Sequence, residues 1–112
     1  PLARILGCAD GDGGMNGQRG EITLALAGST IALCPSFAAL VALEEASSLG
    51  LVTLARRFAE GAFSLKDIEA VIAAGMRGAG QTPPPDLGEK IMATGIAVLA
   101  PRIGEFLVAA LC

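Results

Sequence analysis

The sequence predicts an α+β fold that is mainly α-helical, with an N-terminal two-stranded β-hairpin followed by four or five short helices. Apolar residues alternate with small or polar ones over 21–27, which is the period of a strand. After Pro35, apolar residues recur at helical spacing in stretches that glycines and prolines separate. A chain of 112 residues fits one domain.

The N-terminal residues differ in composition from the rest of the chain. They contain Gly-rich polar runs with too little apolar content to order themselves. We therefore expect a flexible N-terminal tail over 1–18 and a single domain over 19–112. Met15 directly precedes the first well-patterned segment, so it is a candidate native start, with residues 1–14 as an extension.

The hairpin is predicted within residues 21–34. The apolar side of its first strand carries Ile22, Leu24 and Leu26. Gly28 and Ser29 supply a tight turn, and a returning strand over 30–34 ends at Pro35, which lacks a backbone donor. A two-stranded hairpin is marginally stable alone, so we expect its apolar side to pack on the helices or on another chain's strands.

The first two helices are predicted from their caps and apolar stripes. Ser36 can cap a helix that ends at Gly50. The apolar stripe of this helix comprises Phe37, Leu40, Val41 and Leu43. A second helix is predicted over 51–60, with Gly61 as its stop.

The later helices are also predicted from their caps and apolar stripes. Ser64 and Asp67 form a capping box for a helix whose stripe comprises Leu65, Ile68, Ile72 and Met76. The glycines within 75–80 are predicted to terminate this helix, because phosphate-binding loops follow a strand and open a helix instead. Asp86 is the expected cap of the next helix. Pro101 either kinks the last helical segment or opens its final helix.

Charge and cysteine content exclude several classes of partner. The net charge of −3, with both signs interspersed, leaves no basic stripe for nucleic acid. Three cysteines and no histidine form neither a disulfide framework nor a common zinc pattern, and reduced thiols in the cytoplasm are expected. The uncharged run over 22–43 has the length of a membrane span, but turn residues and Pro35 interrupt it, so no membrane partner is expected.

No set of residues predicts catalysis or a cofactor. The offsets of a calcium loop are met by Asp10, Asp12, Asn16 and Glu21. The sixth position of that loop is Met15 instead of glycine, so we expect no metal. Without His or Tyr, no base is evident for a nucleophile, and we expect no enzyme. A hydrolase using Cys34 is the enzymatic alternative, set against Cys34 as a small buried apolar side chain.

Two groups of residues carry a resemblance that covers residues 16–111. The first comprises Arg19-Gly20-Glu21-Ile22 with Leu24, Leu26 and Gly28, then Leu33, Pro35-Ser36-Phe37-Ala38-Ala39-Leu40 and Leu43-Glu44. The second is Ala74-Gly75-Met76-Arg77-Gly78-Ala79-Gly80. In order and spacing these phrases resemble the tail assembly chaperones of gene transfer agents and related long-tailed phages, a family whose members are also labelled tail-tube proteins.

The resemblance implies a non-catalytic protein that needs no cofactor. It would bind the tape-measure protein, the tail-tube protein or both in the host cytoplasm while the tail assembles, and it could form a homo-oligomer. The alternative is a structural tail-tube or minor tail component that stays associated with the virion, with the hairpin joining neighbouring sheets by edge addition.

Five residues on the matching phrases are candidates for partner binding or for defining the fold. They are Phe37, Leu40, Glu44, Met76 and Arg77. Phe37 and Leu40 are expected in the core, because amphipathic stripes normally face inwards. For Arg77, helix capping and a salt bridge to a partner both stay open.

Overall fold

A computed structural model of the chain describes residues 22–111. Its elements are β1 (Ile22–Leu26), β2 (Ser29–Leu33), α1 (Phe37–Ser47), α2 (Leu51–Glu60), α3 (Leu65–Gly78), α4 (Leu87–Thr94) and α5 (Ile96–Leu111). The strands form an antiparallel hairpin, and five helices follow it, which confirms the predicted fold class. The tail predicted over 1–18 and the calcium-like residues up to Glu21 lie outside the described residues.

The hairpin turn lies one residue earlier than predicted. Its central residues are Ala27 and Gly28, with φ angles of 51° and 87°, and Leu26 pairs with Ser29 across the turn. A two-residue hairpin turn of this kind needs positive φ at both central positions. Glycine adopts that conformation freely, whereas the conformation of Ala27 is held by its N–H, which donates to Thr94 Oγ1 over 2.8 Å.

The corner between α2 and α3 forms as predicted. α2 spans the predicted residues, and Gly61 follows it with a φ of 75°. At the start of α3 the Asp67 N–H donates to Ser64 Oγ over 3.1 Å, and the Ser64 N–H donates to Asp67 Oδ2 over 2.9 Å. Arg57 adds an ion pair, with its guanidinium 3.8 Å from Asp67 Oδ2. These bonds satisfy helix-end groups that would otherwise be unpaired.

The capping box makes a testable contribution to stability. Ser64→Ala is expected to lower the free energy of unfolding by about 1–2 kcal/mol, because it leaves an N-terminal donor of α3 unpaired. Asp86 is the matched control, since it precedes α4 but makes no side-chain capping bond. Asp86→Ala should cost less than about 0.5 kcal/mol. Urea unfolding followed by circular dichroism measures both, and equal losses would contradict this account.

The end of α1 differs from the prediction that Gly50 stops it. The helix ends at Ser47, and Ser48 adopts a left-handed conformation with its N–H donating to Glu44 O over 2.8 Å. Gly50 instead precedes α2, where it has no side chain to act as a cap. The Glu44 carboxylate takes that role and accepts from the Leu51 N–H over 3.1 Å.

The last two helices meet at Gly95, whose φ is 106°. Their axes bend by 108° at this break. Of the two alternatives for Pro101, the structure has the proline inside the continuous helix α5, so it does not open a separate helix. Among residues 22–111 no single helix is long and apolar enough to cross a bilayer, and two bent pairs of helices reach that length only together.

Gly75 inside α3 and Gly78 at its end allow a close approach to the hairpin. The prediction that these glycines terminate the helix is therefore wrong for Gly75 and confirmed for Gly78. A Cβ at Gly75 would lie 2.8 Å from Leu33 Cβ, and a Cβ at Gly78 would overlap the carbonyl oxygen of Cys34. The Cys34 N–H donates to Gly75 O over 2.9 Å, which fixes the end of β2 on the helix. Gly80, with a φ of 83°, follows the helix as a terminating glycine.

Cys34 is fully buried at this junction. The structure has it disulfide-bonded, which corrects the expectation of a reduced thiol at this position. The other half of the disulfide lies outside the described residues. Spacing along the chain could not reveal this pairing, because only the fold determines which cysteines can approach one another.

Candidate partner-binding surfaces

Phe37 is the candidate residue whose position departs most from the prediction. Its side chain is 78% exposed, although it was expected in the core, while Leu40 is half-buried. The residues of α1 that are buried are Ala39 and Leu43. Ala39 Cβ would lie 3.0 Å from a Cβ at Gly78, so α1 contacts α3 through two small residues. This contact rotates Phe37 into solvent.

The other candidates do not converge on one site. Met76 is buried in the core, and Glu44 lies at the corner between α1 and α2. Arg77 is exposed on the last turn of α3. The structure therefore leaves Phe37, Glu44 and Arg77 as the exposed candidates that a partner can reach.

Arg77 lines a cleft between the C-terminal end of α1, α3 and the proline-rich connection to α4. The cavity measures about 580 Å³, and its walls include Ser48, Pro83 and Pro84. Lys66 and Glu69 also line it, so its walls carry both signs of charge. A cleft of this composition suits polar or charged groups of a partner more than an apolar helix.

An apolar face formed by α2 and α5 was missed by the sequence analysis. We call it the α2–α5 face, and it comprises Ala55, Phe58 and Ala59 of α2 and Ala97, Ala100, Pro101, Gly104 and Val108 of α5. A groove of about 430 Å³ runs along it, with no charged residue in its lining. The signal for this face was present in the sequence, since α5 carries apolar residues on two sides.

An apolar pit lies between α3 and α4. Leu65 and Met92, both about half exposed, form its apolar walls, and the cavity measures about 480 Å³. Lys66, Glu69 and Glu89 border it. The pit and the charged cleft share residues of α3, so a partner bound at one would lie next to the other.

One outward-facing backbone group on each strand of the hairpin is bonded to a group elsewhere in the chain. Arg102 donates to Thr23 O over 2.7 Å, and Ala32 N donates to Gln81 Oε1 over 3.3 Å. The turn at Ala27 is bonded to Thr94, as described above. These contacts occupy groups that an exposed sheet edge would offer to another strand.

Groups of side chains that could hold a metal ion are absent from the described part of the chain. Residues 22–111 contain no group of three or more His, Cys, Asp or Glu side chains placed to hold a metal ion. The three surfaces differ in charge: the cleft at Arg77 carries both signs, the groove of the α2–α5 face has no charged residue in its lining, and charged residues border the pit between α3 and α4.

Comparison with known proteins identifies the family. No curated protein matches the chain, and no solved structure matches it. A family model described as "Phage tail tube protein, GTA-gp10" matches residues 19–112, which includes every described element. The chain therefore belongs to this family of tail proteins of phages and gene transfer agents.

Proposed function

We propose that the chain is a tail assembly chaperone, which binds the tape-measure protein, the tail-tube protein or both during tail morphogenesis and carries out no catalysis. The family supplies the tail context. The structure supports a binding role, because large apolar side chains stay exposed on several helices. Exposed apolar patches of this kind mark surfaces that another protein covers.

The observation that favours a chaperone over a structural component is that one backbone group on each edge of the hairpin is already bonded within the chain. To join a neighbouring sheet by edge addition, the hairpin must offer free backbone groups. Here Thr23 O and Ala32 N are already bonded to Arg102 and Gln81. Adding a strand would require breaking these contacts, so helix surfaces are the better candidates for binding.

The family description favours a second candidate function, that of a tail-tube component. A tube subunit stays in the particle, whereas a chaperone leaves before the particle is finished. Quantitative mass spectrometry of purified particles separates the two. Stoichiometric amounts of the chain in finished particles would favour the tube component, and its absence from particles whose assembly requires it would favour the chaperone.

The proposed binding is tested with a tape-measure protein and a tail-tube protein from the same source as this chain. Immobilised chain should retain a tape-measure segment or the tube subunit at micromolar concentration. Phe37→Ala is expected to weaken this binding by at least about tenfold, because an exposed aromatic residue is a typical interface anchor. Met92→Ala, which truncates a comparably exposed apolar side chain on α4, serves as the matched control.

Three outcomes are informative. Loss of binding with Phe37→Ala alone places the contact at the start of α1. Loss with Met92→Ala alone moves it to the pit between α3 and α4. If neither the tape-measure segment nor the tube subunit binds the unmodified chain, the proposal loses its main support.

A further inference from the structure

Helix α5 carries apolar residues on two sides, and only one of them is covered by the described chain. The inner side contributes Leu99, Ile103, Phe106 and Leu107 to the core. The outer side carries Ala97, Pro101, Gly104, Val108 and Leu111, at successive spacings of four and three residues. Exposed apolar surface is stabilised by burial, so the outer side is a candidate for contact with a partner.

The exposed side chains cluster on the same face. Val108 on the α2–α5 face is 57% exposed, and Val52, which helical spacing places beside Ala55 and Ala59 of α2, is also 57% exposed. Between them the groove is lined by small residues, including Ala55 and Ala100. Valine side chains from an opposing surface would fit into this groove, because the small residues leave room for them.

Opposite charges border the two sides of the face. Helical spacing places Arg56 beyond Val52 on the side of α2 away from α5, and Glu105 beside Pro101 on the side of α5 away from α2. Both side chains are exposed. Within the described part of the chain Arg56 forms no ion pair, whereas Glu105 pairs with Arg102.

Arg56 and Glu105 also lie at similar heights along the groove. A Cβ at Gly104 would be 4.0 Å from Phe58 Cβ, so these two positions face each other. Arg56 is two residues from Phe58 and Glu105 is one residue from Gly104. At 1.5 Å of helix rise per residue, the two charges differ in height by no more than about 5 Å.

We propose that the α2–α5 face binds a second copy of the chain in a two-fold dimer. A two-fold axis that runs along the groove places α5 of one copy over α2 of the other. This operation brings Arg56 of each copy next to Glu105 of the other, at both borders of the interface. The face is thus complementary to itself in charge as well as apolar in its centre.

The test uses the full chain alone, so its result does not depend on the proposed role in tail assembly. Sedimentation velocity and light scattering across a concentration series should show a monomer–dimer equilibrium. Arg56→Glu and Glu105→Arg should each raise the dimer dissociation constant by at least about tenfold, because each places like charges together. The double variant carrying both changes should return the constant to within about threefold of the original.

Val108→Asp should abolish the dimer, because it places a carboxylate in the apolar centre of the face. Met92→Asp adds the same charge at a comparably exposed position outside the face and should leave the dimer unchanged. A chain that stays monomeric at all concentrations overturns the proposal. So does a dimer that tolerates Val108→Asp, or charge exchanges that fail to restore association. Circular dichroism of each variant separates loss of association from loss of fold.

Discussion

Gly78→Ala is expected to lower the free energy of unfolding by about 3 kcal/mol, which is the upper part of the range for overpacking a well-packed site. The added methyl group would overlap the carbonyl oxygen of Cys34 and press on Ala39 Cβ. Neither obstacle can move easily, because one is backbone and the other belongs to a packed helix. The gain in helix propensity, about 1 kcal/mol, is too small to offset this loss.

Gly88→Ala is the matched control for this prediction. Gly88 lies in α4, and a Cβ there would meet only Glu69 Oε2, at 3.9 Å. Without a steric obstacle the higher helix propensity of alanine should raise the free energy of unfolding by up to about 1 kcal/mol. Opposite signs for the two substitutions in urea unfolding support the close contact between α3 and β2. A stabilising effect of Gly78→Ala would contradict it.

Phe58→Ala is expected to lower the free energy of unfolding by about 3–5 kcal/mol. Phe58 is nine-tenths buried, and its ring stacks on that of Phe63 with centroids 4.7 Å apart. Its removal therefore leaves a cavity and also breaks an aromatic pair between α2 and the segment before α3.

Phe37→Ala removes the same side chain from an exposed position and should change stability by less than about 0.5 kcal/mol. Thermal and urea unfolding of the two variants measure this difference. Equal losses would show that Phe37 is covered within the folded chain. If only the Phe58 variant loses stability, then weakened partner binding by the Phe37 variant reflects a lost contact and not unfolding.

The features predicted correctly from the sequence are those governed by neighbouring residues. The capping box of Ser64 and Asp67 and the stop at Gly61 each depend on a few adjacent positions. Local hydrogen bonds and backbone conformational preferences are sufficient to specify them.

The features that were missed depend on what lies across the fold. Gly75 and Gly78 resemble terminating glycines in sequence, and only the position of β2 reveals them as contact points. The orientation of Phe37 depends in turn on the Ala39–Gly78 contact, which a stripe of apolar residues on α1 cannot specify. The candidate site was therefore predicted less well than the fold, since exposure is a property of the assembled molecule.

The contacts that hold the hairpin have a consequence for the order in which the chain can fold. They join residues that are 49, 67 and 79 positions apart, from Ala32 to Gln81, Ala27 to Thr94 and Thr23 to Arg102. During synthesis the two strands leave the ribosome before Gln81, Thr94 and Arg102, the residues whose side chains bond to the hairpin. The nascent hairpin therefore lacks these three contacts until Arg102 has been synthesised, so they form late in the folding of the described residues.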